Sequence, residues 1–196
     1  LLHPKPKHLS ATEAAALPLA GLTAWRALMT RGEAKPGDKV LISGVGGGVA
    51  LFAMQFAVAL GCEVHVTSSK PEKIARAVKL GAANGVLYTE TDWDKKLPAG
   101  FDVIIDSAGG EGFGALTERL GMGGRIVFYG ATLGNWPVIR PHRHFFRQTS
   151  ILGSTMGSPV EFEEMLGFVN QHKLKPVVDS VFPLSKAAEG LERLVS

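Results

Sequence analysis

The densest cluster of chemically permissive residues is Val40-Leu41-Ile42-Ser43-Gly44-Val45-Gly46-Gly47-Gly48-Val49-Ala50. Four glycines crowd the junction between an apolar run and a helical pattern that begins at Leu51. A backbone without side chains can turn sharply here and come close to an anion. The helix that follows presents unbonded N–H groups and the positive end of its dipole to the same point. In a strand–turn–helix unit this is a cradle for the pyrophosphate of a dinucleotide. The spacing Gly44-x-x-Gly47-x-x-Ala50 is looser than strict GxGxxG, so a glycine-rich turn that holds no ligand is the competing reading.

A second group bears on which nucleotide. Val64-His65-Val66-Thr67 runs into Ser68-Ser69-Lys70-Pro71-Glu72-Lys73. About 20 residues after the glycines, an NAD site carries Asp or Glu to hold the ribose hydroxyls. That position is Ser68 or Ser69 here, with Lys70 and Lys73 close by, and Glu63 belongs to the opposite end of the strand. Hydroxyls and ammonium groups hold a 2′-phosphate by charge-assisted hydrogen bonds, whereas a carboxylate repels it. The pattern therefore favours NADP(H) over NAD(H), and the missing acid weighs against S-adenosylmethionine. The competing reading is that Ser69 and Glu72 cap the next helix and the lysines are solvated surface.

Two further strand ends, Asp106-Ser107-Ala108-Gly109-Gly110 and Tyr129-Gly130-Ala131-Thr132, carry small residues that leave room for the nicotinamide half. Ordinary loops between strand and helix also contain Gly and Ser. Asp106 reads as an aspartate satisfied by backbone N–H groups rather than as a catalytic acid. Short-chain dehydrogenases need Tyr-x-x-x-Lys, but Tyr88 is followed at that spacing by Asp92 and Tyr129 by Leu133, which excludes that active site.

These residues need elements to position them. Strands are expected at 39–43, 63–67, 85–88, 102–106, 125–130 and 150–154, and helices at 48–60, 71–80, 111–120, 159–172 and 186–195. Ser10-Ala11-Thr12-Glu13 has the form of a capping box that opens a helical region, broken at Pro18 and reaching about Thr30. Pro71 and Pro159 suit first helical turns, and Gly61 and Gly81 suit helix ends. Val103-Ile104-Ile105 and Ile126-Val127-Phe128 are continuous apolar runs, as in strands buried on both faces. The alternation predicts an α/β fold: a doubly wound parallel sheet of about six strands with helices on both faces, the Rossmann arrangement.

Bulk composition narrows the function classes. The 196 residues are 45% hydrophobic and 20% charged, with a net charge of +3. That is globular, and too mild in charge for nucleic acid. The basic patch Arg140-Pro141-His142-Arg143-His144 reads as a solvated loop. Cys62 is the single cysteine, which rules out an intrachain disulfide and a Cys-rich zinc site, and its expected role is a small buried apolar residue. No apolar run reaches membrane-span length and no signal peptide is visible. The expectation is a cytoplasmic protein without membrane or nucleic-acid partners.

Several motifs in order resemble the medium-chain dehydrogenase/reductase superfamily. They are Ala14-Ala15-Ala16-Leu17-Pro18, Leu22-Thr23-Ala24-Trp25, Pro36-Gly37-Asp38-Lys39-Val40-Leu41-Ile42, the glycine loop and Leu80-Gly81-Ala82. Phe146-Arg147-Gln148, Gly153-Ser154-Thr155-Met156-Gly157-Ser158 and Pro183-Leu184-Ser185-Lys186-Ala187-Ala188 follow. The likeness is to the quinone reductase-like and alcohol dehydrogenase-like branch. It implies hydride transfer between a nicotinamide and a quinone, enone or carbonyl/alcohol substrate. By matching position it implies that Gly46, Gly47, Gly48 and Val49 line the pyrophosphate and that Ser68, Ser69 and Lys73 meet the adenosine phosphate. Ser107, Ala108, Tyr129 and Gly130 would flank ribose and nicotinamide, with Thr23 beside the nicotinamide and Ser154 and Thr155 closing the far side.

Two departures matter. Zinc-dependent members carry a cysteine ligand where this chain has Leu19, and His142 with His144 lacks a third ligand of suitable spacing, so no zinc is expected in this chain. The resemblance also implies a substrate domain before residue 1. Residues 1–34 are then a helical linker from it, 35–175 the dinucleotide-binding domain, and 176–196 the start of a return segment. The chain alone is expected to be incomplete for catalysis, and the proton donor is unassigned, with Tyr129 considered for it. The alternative is a nucleotide-binding module without turnover, as a fragment or a sensor. Family members pair through the sixth strand, which implies a homodimer through the exposed edge at 150–154.

Overall fold

The structure is a computed structural model that describes residues 2–195. Leu1 and Ser196, the ends of the two flanking segments expected above, lie outside the described residues. The six expected strands are present as β1 (Lys39–Ile42), β2 (Glu63–Ser68), β3 (Asn84–Leu87), β4 (Phe101–Asp106), β5 (Leu120–Phe128) and β6 (Ser150–Gly153). They form one sheet in the order β3-β2-β1-β4-β5-β6, every pairing parallel. The order reverses between β1 and β4, the switch point at which ligands of such sheets bind.

Both sheet faces are apolar, and successive residues serve opposite faces. Val40, Ile42, Val103, Ile105 and Val127 enter one core, whereas Leu41, Ile104 and Ile126 enter the other. The first core is covered by helices α1 (Ala11–Ala15), α2 (Pro18–Trp25), α3 (Gly48–Leu60), α4 (Pro71–Lys79) and α7 (Pro159–His172). The second is covered by α5 (Gly112–Glu118) and by Trp136, which stacks on Phe113 at 4.0 Å. A short α6 (Pro141–Arg147) precedes β6, and α8 (Ala187–Val195) is the last helix among the described residues.

Local chemistry explains the boundaries. The Ser10–Glu13 capping box forms, with Glu13 N–H donating to Ser10 Oγ at 3.1 Å and Ser10 N–H to Glu13 Oε2 at 2.7 Å. Pro18 stands at the first turn of α2 and separates it from α1. The helical region then continues as a π-helical segment, Arg26–Arg31. Gly61, with φ +93°, ends α3 in the left-handed conformation. The basic patch expected to be a solvated loop is instead largely α6, with Arg140 at its N-cap and Pro141 starting it. β5 begins at Leu120, earlier than expected, because its glycine-rich first half pairs Leu120 with Phe101 across a register shift.

Candidate functional site

Ligands of such sheets bind in the crevice outside the carboxyl ends of the strands at the switch point, here those of β1 and β4. Ser43 Oγ donates to Asp106 Oδ1, and Gly109 N–H donates to Asp106 Oδ2 at 2.9 Å. Asp106 is 1% exposed. Its carboxylate ties the two strand ends together at the switch point, as a strand-ending aspartate satisfied by its neighbours.

The glycine loop is held from the side by β2. Gly44 N–H donates to Thr67 Oγ1 at 3.0 Å and Val45 N–H to Thr67 O at 2.7 Å. Gly44 and Gly46 adopt φ +63° and +145°, a region hostile to residues with a Cβ. Gly47 then caps α3, and no side chain takes up the helix end. The first intrahelical bond runs from Leu51 N–H to Gly47 O, so the N–H groups of Gly48, Val49 and Ala50 have no acceptor within the helix. A Cβ on Gly47 would meet nothing within 4 Å, while one on Gly48 would lie 3.4 Å from the Cβ of Ala20 in α2. The turn thus presents bare amides and a positive helix end to open space, the arrangement that suits a phosphate group.

Lys73, in the first turn of α4, reaches this loop: a Cβ on Gly46 would come 2.9 Å from its Nζ. Ser69, Lys70 and Lys73 are exposed. Ser68 is 2% exposed; its hydroxyl donates to Val45 O at 3.3 Å and accepts from Lys70 N–H at 3.4 Å. Ser69 does not cap α4, because Lys70 occupies the N-cap with no side-chain bond. Thr67, which fixes the loop, carries no flag in the sequence: a β-branched residue at a strand end reads as strand.

The other expected residues fall into two further groups. Loops 107–110 and 129–134 are zipped together by Leu133 N–H to Ala108 O at 2.8 Å, Thr132 N–H to Ser107 O at 3.3 Å and Gly110 N–H to Gly134 O at 3.1 Å. A Cβ on Gly130 would stand 3.0 Å from Ser107 O, so only glycine fits without displacement. The Tyr129 hydroxyl sits beside Ser107, and burial raises its pKa above the ordinary phenol value, against the opposing effect of Ser107. In the second group Thr23 Oγ1 donates to Leu19 O at 2.9 Å and lies 4.0 Å from Met156 Sδ. Ser154 N–H donates to Phe128 O at 2.9 Å, its buried Oγ has no hydrogen-bond partner, and Thr155 is exposed. Among the described residues no group of three or more His, Cys, Asp or Glu side chains converges as a metal site.

A family model described as zinc-binding dehydrogenase matches residues 48–171. The zinc-type alcohol dehydrogenase-like protein YogA of Leptosphaeria maculans is 43% identical over 95% of this chain and 53% of its own length. The quinone oxidoreductase of Mus musculus is 31% identical over 99% of this chain and 62% of its own length. A solved NAD-dependent alcohol dehydrogenase superposes with a TM-score of 0.91 at 41% identity, over 98% of this chain and 58% of that one. The quinone oxidoreductase of Thermus thermophilus, solved also as its complex with NADPH, superposes with a TM-score of 0.83 at 36% identity, over 99% of this chain and 66% of that one. Each relative is a longer protein of which the chain matches one part. The matched stretch runs from the bare helix end at Gly48 through the crevice loops to α7, and on that ground the chain belongs to the zinc-binding dehydrogenase family, as a cofactor-binding domain of the medium-chain dehydrogenase/reductase superfamily.

Proposed function

We propose that this chain binds NADP(H) in the crevice over β1 and β4 and serves a zinc-independent oxidoreductase acting on a quinone, an enone or a carbonyl/alcohol substrate. The observation that carries the reading is the Gly46–Gly48 turn, with its uncapped helix end, open space at Gly47 and Lys73 alongside. A bound nicotinamide supplies a hydride at C4. The turn residues through Val49 hold the pyrophosphate. Ser69 and Lys73 receive the adenosine phosphate, and the buried Ser68 hydroxyl shapes the backbone between Val45 and Lys70. Ser107, Ala108, Tyr129 and Gly130 flank the nicotinamide and its ribose, while Thr23, Ser154 and Thr155 exclude water from its far side; the unpartnered Ser154 hydroxyl is free to bond a ligand there.

The NADPH complex of the Thermus relative supports the cofactor class, and the NAD-dependent relative makes NAD(H) the second reading. Zinc independence rests on Leu19 at the family's cysteine position and on the lack of a converging ligand set among the described residues. Residues 1–34 and 176–196 are proposed to lead to and from a substrate domain, and β6 to pair with its copy in a homodimer, which light scattering tests directly. The cytoplasm is the proposed location.

Calorimetric titration with NADPH and NADH, repeated on Lys73→Ala, tests the cofactor reading. We expect tighter binding of NADPH and a loss of about tenfold or more of that preference in the variant, the scale of one charged hydrogen bond. Equal affinities in the wild type overturn the NADP(H) assignment, and failure to bind either nucleotide overturns the site.

A further inference from the structure

The loop after β6 is held to the helical layer by more than packing. Arg26 opens the π-helical segment and Arg31 closes it. In an α-helix, at about 100° per residue, positions five apart point about 140° away from each other. The i→i+5 bonding of a π-helix brings such positions back onto one side. Here both guanidinium groups reach the same loop: Arg31 Nε donates to Gly153 O at 3.0 Å and Arg26 Nη1 to Thr155 O at 3.4 Å. The two carbonyls flank Ser154, whose buried hydroxyl has no partner.

Arg26 is itself fixed by the helix that follows the loop. Its Nε and Nη2 donate to Glu161 at 3.0 and 2.7 Å, and Thr30 Oγ1 donates to Glu161 Oε1 at 2.7 Å. Glu161 also accepts the Ser158 N–H at 2.7 Å, closing a capping box at the start of α7. One carboxylate thus ties the π-helical segment to the loop's far end. Between these anchors Met156 takes φ +48°, and Gly157 lies so close to α2 that a Cβ would fall 2.5 Å from Leu22 Cδ1.

We propose that Arg26, Arg31 and Glu161 are positioning residues that latch loop 153–158 in the shape that closes the nicotinamide end of the site, and so set affinity for the nicotinamide half of the cofactor without touching it. This rests on the cofactor reading above. A bidentate arginine–carboxylate pair whose carboxylate also accepts from Thr30 and from the Ser158 N–H, and whose guanidinium also donates to Thr155 O, has little freedom, so it transmits position rather than merely adding stability.

The test compares two ligands on the wild type, Arg26→Ala, Arg31→Ala and Glu161→Gln: NADPH, and adenosine 2′,5′-bisphosphate, which lacks the nicotinamide half. We expect the variants to weaken NADPH by about tenfold and to leave the bisphosphate unchanged. Amide exchange at residues 154–158 should rise in the same variants. Equal weakening of both ligands marks a purely structural role and overturns the latch, as does unchanged NADPH affinity. Arg31 is exposed, so Arg31→Ala keeps the test decisive if Arg26→Ala fails to fold. Failure of the wild type to bind NADPH shows, before any variant is measured, that the cofactor reading itself has failed and takes the latch with it.

Discussion

Lys73 lies across Gly46: a Cβ placed on that glycine would stand 2.7 Å from the lysine Cδ and 2.9 Å from its Nζ. Gly46 also holds φ +145°, so Gly46→Ala must strain the backbone and displace Lys73 together. The expected cost is about 1–3 kcal/mol of stability. Gly47 differs in kind, with an ordinary φ of −78° and open space where a Cβ would go. Gly47→Ala should cost no more than about 1 kcal/mol as an N-cap change. Its methyl would nonetheless occupy the space assigned to the pyrophosphate, so nucleotide affinity should fall about tenfold or more. Thermal melts and calorimetry on the two variants separate these effects. Wild-type affinity in Gly47→Ala would show that no anion sits against this turn.

Asp106 is a structural tie, and its alanine and asparagine variants should part company. Asp106→Ala orphans the Gly109 N–H and the Ser43 hydroxyl at a position that is 1% exposed. That should cost about 1–3 kcal/mol, or roughly 3–10 °C in Tm. Asp106→Asn can present its carbonyl to Gly109 and its NH2 to Ser43, whose hydroxyl then accepts. It should melt close to the wild type. A large loss in Asn equal to that in Ala would show that the charge, not the bonding pattern, is what the site requires.

The same distinction between pattern and contact decides what could be read from the chain. β1, β4 and the core of β5 announce themselves because both their faces are buried, so Val103-Ile104-Ile105 stays apolar without interruption. The first half of β5 hides because it is rich in glycine. The reason is close approach: a Cβ on Gly124 would stand 2.7 Å from Phe101 O, and one on Gly121 3.2 Å from the Gly100 backbone. Helix α6 hides because Phe145 and Phe146 are exposed, leaving no apolar period to detect, although Pro141 marks its start. In the site, the glycine turn is legible since backbone geometry dictates residue type. Lys73 over Gly46 is not, because a lysine on a helix surface is free to go elsewhere. Ser68 reads as a loop residue only until β2 is seen to run one residue further and bury it. The Arg26–Glu161 pair joins residues distant in sequence, and only the Ser158–Glu161 spacing hints at one end of it.

Glu161 gives the latch a pH signature. Its hydrogen bonds from Arg26 first, then from Thr30 and Ser158, outweigh burial and bring its carboxyl pKa down to about 2. A depressed carboxylate stabilises the fold above its unfolded value near 4.5 and loses that contribution as pH falls towards 2. The linkage ceiling is about 3 kcal/mol. Glu161→Gln should therefore melt lower than the wild type at neutral pH, and the gap should close between about pH 4.5 and 2. A gap independent of pH would mean that the carboxylate charge contributes nothing to the fold.

Cys62 tests the lower edge of the sheet, away from the crevice. Its Sγ donates to Lys35 O at 3.3 Å, and burial, followed by the Asp38 and Asp102 carboxylates, pushes the thiol up to about 11. At pH 8 roughly one thiol in a thousand is then ionised, against about a quarter for a free cysteine of pKa near 8.5. Reaction with a disulfide reagent should be at least a hundredfold slower than for a free thiol and should reach the free rate in denaturant. A fast reaction in the native protein would mean that the turn before β2 opens far more readily than its bonds, Cys62 N–H to Ala57 O and Glu63 N–H to Asp38 O, allow. Since β2 carries Thr67 at its other end, such opening would loosen the support of the glycine loop as well.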